Sequence, residues 1–229
     1  MKRLASGRDG DIFEFAPGLV LRKTHDGRSI AHEARTMRYV AEHGYPVPRI
    51  EEVRAGGTEI VMERIDGPIM MDAMVRPPWK LGDHLRLLAD LHDRLHEIPG
   101  PDWLPAMPDG GDRLLHLDLH PLNVIMSPQG PVVIDWPNAR CGDPMADVAV
   151  TYALVACGHI PLPRPVAAAL DKVRTPMLRR FFAKRYLGAS FYRRVAEMAE
   201  LKCFDQNMAP DEIRALRRLA DESRSKAPG

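Results

Sequence analysis

The sequence has little to cross-link and nothing long enough to span a membrane. Its three cysteines, Cys141, Cys157 and Cys203, are odd in number, far apart and form no CxxC pair. That excludes a disulfide framework or a cysteine zinc site and leaves them as small core residues. The most apolar stretch, 145–157, carries Asp147 and Thr151 and falls well short of the ~20 residues that cross a bilayer, so a buried helix is expected there. Met1-Lys2-Arg3 is followed by Ser6, Gly7, Arg8 and Asp9 rather than by an apolar run; no signal-peptide core is read, and the expected compartment is the cytoplasm. Neither charge sign dominates, with 32 Lys and Arg against 31 Asp and Glu, so neither nucleic acid nor a membrane is an expected partner. No repeat or low-complexity tract is present. What remains is 229 residues, 45% hydrophobic and 28% charged, the make-up of one soluble domain or two intimate lobes.

Strand signals come first and helices later. Residues 11–16, 19–24 and 58–65 are short, rich in β-branched or aromatic residues and bounded by Gly or Pro, as antiparallel strands are. A helix over 29–43 interrupts them, with Ser29 to cap its start and Gly44 to close its end. Leucines at 81, 85, 88, 91 and 95 make one stripe of a helix over 81–96. Short strands are expected at 116–119, 123–126 and 131–136, and helix from about residue 143 onward.

The first of these helices carries an anomaly. Ile30, Met37 and Val40 share a face, and Glu33 lies within the same arc. An inward carboxylate is costly unless paired, and Arg22 or Lys23 on the preceding strand is the nearest cation. A cation held by a helix glutamate is a way to aim charge at phosphates.

The densest chemistry lies at His116-Leu117-Asp118-Leu119-His120-Pro121-Leu122-Asn123, followed by Val132-Val133-Ile134-Asp135-Trp136. An apolar strand that ends in a carboxylate needs a reason, and phosphoryl transfer supplies one. It requires a carboxylate to orient the acceptor hydroxyl and accept its proton, and oxygen ligands for Mg²⁺ on the nucleotide phosphates. Asp118 suits the first task, within a motif that begins at His116; Asn123 and Asp135 suit the second.

HLDLHPLNVIM, VVIDW and the segment Cys141-Gly142-Asp143-Pro144-Met145-Ala146-Asp147 resemble the aminoglycoside phosphotransferase branch of the protein-kinase-like fold. The resemblance continues through HEARTMRYVAEHGYPVPRI and IVMERIDGP and covers roughly residues 5–157. It implies an α+β, two-lobed protein-kinase-like fold, with a small antiparallel β lobe over 1–64 and a mainly helical C-lobe over 65–229. It further implies ATP, with GTP as the alternative donor, together with Mg²⁺, and a small-molecule hydroxyl as acceptor. Residue by residue, Asp118 becomes the catalytic base beside His116, Asn123 and Asp135 the magnesium ligands, and Glu33 the partner of Arg22 or Lys23. Ser6, Gly7 and Gly10 become the loop over the phosphates, Glu63 to Ile65 the adenine linker, and Asp147 a brace for the catalytic loop. Adjacent strand residues face opposite ways, so only one of Arg22 and Lys23 can meet the nucleotide.

Rival chemistries use the same residues. His116, Asp118 and His120 alternate as a metal site would, and His92 and His96 have helical zinc spacing; the Pro121 turn with Asn123, and the leucine stripe, favour the other assignments. Only seven residues separate Asp135 from Asp143, too few for the activation segment of a protein kinase. A nucleotide-binding module without activity is the rival of another class, and the presence of Asp118, Asn123 and Asp135 together weighs against it. Trp136 is read as packing.

Charge bears on the acceptor. Residues 160–229 hold fifteen Lys and Arg against eight Asp and Glu, while the first 159 hold seventeen against twenty-three. Aminoglycosides are polycations and call for an acidic acceptor pocket, which Asp205, Asp211 and Glu212 would have to supply. The balance of +7 instead favours a neutral or anionic metabolite as acceptor, with the cations otherwise on solvated helix faces. Aminoglycoside turnover would mark an antibiotic-resistance kinase. Oligomeric state is not encoded in these patterns.

Overall fold

The computed structural model describes residues 1–7, 9–75, 80–158, 188–205 and 208–227. The chain forms two compact units: Met1–Arg76 with Pro121–Ala139, and Pro77–His120 with Arg140–Gly229. Among the described residues no helix is long and apolar enough to cross a membrane.

The first unit is built on a five-stranded antiparallel sheet. Its strands are β1 (Arg3–Ser6), β2 (Gly10–Ala16), β3 (Leu19–Thr24), β4 (Ile50–Arg54) and β5 (Glu59–Glu63), in the order β1-β2-β3-β5-β4. Helix α1 (Ala31–Glu42) follows β3. Ser29 Oγ accepts the Ala31 N–H at 3.3 Å at its start, and Gly44, at φ +73°, closes its end, as a residue without Cβ does cheaply. Ile30 and Ala34 pack on Ile60 of β5, with Ile50, Val53 and Met62 around them. Helix α2 (Met70–Val75) and the hairpin β7 (Val124–Ser127) and β8 (Gly130–Val133) complete the unit. The hairpin is tied on by Val133 N–H to Pro46 O and Met126 N–H to Pro68 O, each 2.8 Å.

Gly10 opens β2 where β3 approaches closely: a Cβ there would lie 2.3 Å from Lys23 O. Gly10→Ala is therefore expected to lower stability by about 2 kcal/mol, the usual cost of forcing backbone apart, measured as a shift of the urea midpoint at unchanged m-value.

The second unit holds α3 (Leu81–His96), the two-stranded pair β6 (Arg113–Leu115) and β9 (Arg140–Gly142), α4 (Pro144–Cys157), α5 (Ala189–Lys202) and α6 (Pro210–Lys226). Leu85, Leu88, Leu91 and Leu95 are buried along α3 as the stripe predicts. Asp143 caps α4 by accepting the Met145 N–H at 2.9 Å, with Pro144 in the first turn. Ala153, Ala196, Ala199, Leu216 and Ala220 form the core shared by α4, α5 and α6, and Cys157 and Cys203 pack against it. All three cysteines are free.

Two strand expectations change. Residues 116–119 are not a strand: β6 ends at Leu115, Leu117 takes φ +57°, and the N–H groups of His116 and Leu117 go to the Asp147 carboxylate rather than to a neighbouring strand. The strand expected over 131–136 stops at Val133, because Asp135 sits at φ +70°, a conformation a strand cannot carry. Strands β1, β4 and β9 and helix α2 have no counterpart in the sequence reading. The expected helix continuing beyond residue 158 lies, over 159–187, outside the described residues.

Candidate functional site

In the first unit, the inward carboxylate of α1 meets its cation. Glu33 is 2% exposed, its Oε1 accepts a hydrogen bond from Arg22 Nη1 of β3, and the Trp136 N–H lies 3.3 Å from the same oxygen. Its second oxygen has no hydrogen-bond partner among the described residues. Arg22 Nη2 reaches Asp135 Oδ1 at 3.5 Å, so one guanidinium faces two carboxylates. Burial works against the charge of Arg22, but Glu33 and Asp135 outweigh it and hold the guanidinium cationic. Burial pushes the Glu33 carboxyl up, opposed chiefly by Arg22.

Lys23 lies on the other side of the pleat, exposed, with Nζ 3.2 Å from Glu59 Oε1 on the paired strand. The choice left open by the sequence is thus made by tertiary partners, and Arg22 is the residue that Glu33 aims.

Asp135 presents a partly exposed carboxylate at a strained left-handed backbone position, the sort of strain that persists where surrounding structure enforces it. Asn123 is buried in the short turn Pro121–Asn123, and its carbonyl accepts the Ile134 N–H at 3.0 Å, locking the turn to the segment that carries Asp135. An amide and a carboxylate oxygen make the hard donor set that suits Mg²⁺.

The remaining residues expected around a nucleotide fall at the sheet's rim. Ser6 ends β1 opposite Asp11, and its hydrogen bond is the main cause of the lowered Asp11 pKa. Gly7 N–H donates to Gly10 O at 2.9 Å, making a tight turn whose Arg8 lies outside the described residues. Glu63 ends β5 and is locked to Arg49 through both its N–H and its side chain. After it, neither backbone group of Ile65 has a hydrogen-bond partner among the described residues.

The second unit carries Asp118 in a braced loop. Asp147, fully buried, receives the N–H of Leu117 at 2.7 Å and of His116 at 3.1 Å, with His96 Nε2 at 3.1 Å and His92 Nδ1 at 3.6 Å. Burial opposes its charge, but the imidazoles of His92 and His96 overcome this and hold the carboxyl far below its ordinary range. Thr151 Oγ1 donates to Leu119 O at 2.7 Å and lies 3.0 Å from His92 Nε2, fixing the loop on the other side of Asp118. His116 is itself fully buried. His92, His96 and Asp147 are the only three potential metal ligands that converge among the described residues, and the backbone N–H groups that Asp147 holds give the cluster a bracing role. His116, Asp118 and His120 form no such group.

Asp118 has a partner that sequence order hides. Lys202, at the end of α5 and buried, places Nζ 2.8 Å from Asp118 Oδ1 and 3.4 Å from Asp205 Oδ2. His120 Nε2 lies 3.6 Å from Asp118 Oδ2. Burial would raise the Asp118 pKa, but the His120 hydrogen bond and the Lys202 charge prevail and keep the carboxyl well below the usual range. The signal available in the sequence was only a lysine at a helix end facing Asp205 three residues on, a pattern shared with surface pairs. Of the acids considered for an acceptor pocket, Asp211 pairs with Arg214 at the surface and Glu212 accepts the Ala209 N–H as a cap, leaving Asp205 at the site.

Comparison with curated protein sequences returns no match. Among solved structures, that of a streptomycin-ATP-APH(2")-IIa ternary complex superposes with a TM-score of 0.62 at 14% identity, over 97% of this chain and 92% of that one. An aminoglycoside-3'-phosphotransferase of type VIII gives 0.58 at 18% identity, over 97% and 91%. A choline/ethanolamine kinase family protein from Mesorhizobium loti gives 0.52 at 17%, over 99% and 86%. These similarities establish the α+β, protein-kinase-like fold, with an antiparallel N-terminal sheet and a mainly helical C-terminal part. The model of the phosphotransferase enzyme family matches residues 1–107 and 101–177, about three quarters of the sequence, and the chain belongs to that family.

Proposed function

We propose that the protein transfers the γ-phosphoryl group of ATP, with GTP as the alternative donor, to a hydroxyl of a small molecule. The observation that carries this is the Arg22 guanidinium held by buried Glu33 and facing Asp135, an arrangement with a direct use in phosphate binding. Asn123 and Asp135 would hold Mg²⁺, which when bound neutralises charge on the phosphate oxygens. Ser6, Gly7 and Gly10 would border the phosphates, and the unpartnered backbone groups of Ile65 suit an adenine edge, with Glu63 fixing the strand end before them.

Asp118 orients the acceptor hydroxyl and takes its proton. With its pKa held low it is a weak base, which suits a loose transition state: the hydroxyl proton becomes acidic only as the oxygen bonds to phosphorus. His116, fully buried and tied through its N–H to Asp147, positions the loop. The short path from Asp135 to Asp143 favours a small-molecule acceptor over a peptide, and the charge of the C-terminal residues favours a neutral or anionic one over an aminoglycoside.

The test is Mg²⁺-dependent ADP release from ATP against aminoglycosides and against neutral and anionic hydroxyl compounds, with Asp118→Ala as the blank. Acceptor-stimulated release above the blank is expected. Equal release by the variant would remove Asp118 from the chemistry.

A further inference from the structure

Residues 188–227 contain eight described cations, and Lys202 differs from the rest. Arg193, Arg214, Arg217, Arg218, Arg224 and Lys226 are exposed, and Arg194 is half-buried against Asp109 and Glu197. Lys202 alone among them is buried, 7% exposed, with its ammonium between Asp118 and Asp205.

An ammonium is strongly hydrated and enters a protein interior only where carboxylates replace the water. Two do so here: Asp118, which His120 also faces, and Asp205. An acceptor carrying an amine next to its reacting hydroxyl would bring that amine toward the carboxylates around the base. The protein's own ammonium already occupies that position. A second ammonium would meet a like charge where the dielectric is low, and a like charge at short range is among the strongest ways to reject a ligand.

We infer that Lys202 is a specificity-determining residue: it positions Asp118 and closes the Asp118–Asp205 carboxylate pair to ammonium groups, so that the acceptor is neutral or anionic where it meets the base. This rests on the assignment of Asp118 as base, which the ADP-release comparison with Asp118→Ala tests separately.

The experiment is calorimetric titration of kanamycin into the full-length protein, its Lys202→Met and Lys202→Arg variants, and the double variant Lys202→Met/Asp118→Asn. Lys202→Met should bind kanamycin ~tenfold or more tighter than the wild type, Lys202→Arg should match the wild type, and the double variant should lose the gain. A merely structural lysine would not give that pattern. Tight kanamycin binding by the wild type, or no gain in Lys202→Met, overturns the inference. Should Lys202→Met be too unstable to titrate, Lys202→Ala is melted with n-butylammonium or n-butanol. Stabilisation by the ammonium alone supports the inference, and stabilisation by neither or by both equally overturns it.

Discussion

Asp118→Ala is expected to lower phosphoryl transfer by about three orders of magnitude, the usual contribution of a positioned general base, with Mg²⁺-dependent nucleotide binding close to that of the wild type. Asp135→Ala is expected to lose transfer to a similar extent and to weaken nucleotide binding in Mg²⁺ at least tenfold, about 1.4 kcal/mol or more. The difference follows from what each carboxylate faces. Asp118 is turned toward Lys202 and His120, in a loop held by Asp147 and Thr151. Asp135 is turned toward the guanidinium that Glu33 holds. Titration with a fluorescent ATP analogue, with and without Mg²⁺, reads the binding half, and a coupled ADP assay reads the transfer half. Equal loss of binding in the two variants would show the roles to be misassigned.

The parts of this site legible in the sequence are those fixed by local pattern. The leucine stripe of α3 gave its bounds, 81–96, and the arc shared by Ile30, Glu33, Met37 and Val40 gave a buried acid, which is found buried. The pleat allowed only one of Arg22 and Lys23 to face Glu33, but which one depends on where α1 and β5 lie, and that is tertiary information. Pattern also misled. Residues 116–119 alternate as a strand would, yet the N–H groups of His116 and Leu117 are claimed by Asp147, some 30 residues on. Lys202 lies 84 residues from Asp118, and no periodicity within α5 separates a lysine that reaches a carboxylate from one that reaches solvent. The exposed cations of α6 do follow from helical spacing, which is why the +7 balance read as a solvated face and concealed the one member that is buried among the described residues.

The Asp147 brace sets the second large expectation. Asp147→Asn should destabilise the protein by about 3–5 kcal/mol, the cost of breaking a buried charge network from one side, and lower its melting temperature by about 10 °C. The amide keeps one acceptor oxygen but turns an NH₂ toward the N–H groups of His116 and Leu117 or toward His96, so at least one buried donor is left facing another. Acid adds a signature. Burial lowers the pKa of His92 from its ordinary 6.5, so below that pH the unfolded chain takes up a proton that the folded chain resists, and stability falls as pH falls. The slope from this one group approaches ~1.4 kcal/mol per pH unit. Asp147 pulls in another window: its carboxyl, held far below 3.8 in the fold, contributes stability that is complete above the ordinary carboxylate range and is lost only as pH drops below it. Urea unfolding between pH 7.5 and 5.5 therefore isolates the histidine. His92→Gln should flatten the slope there, and an unchanged slope would mean that His92 already carries its proton in the folded loop, with Asp147 as its counter-ion.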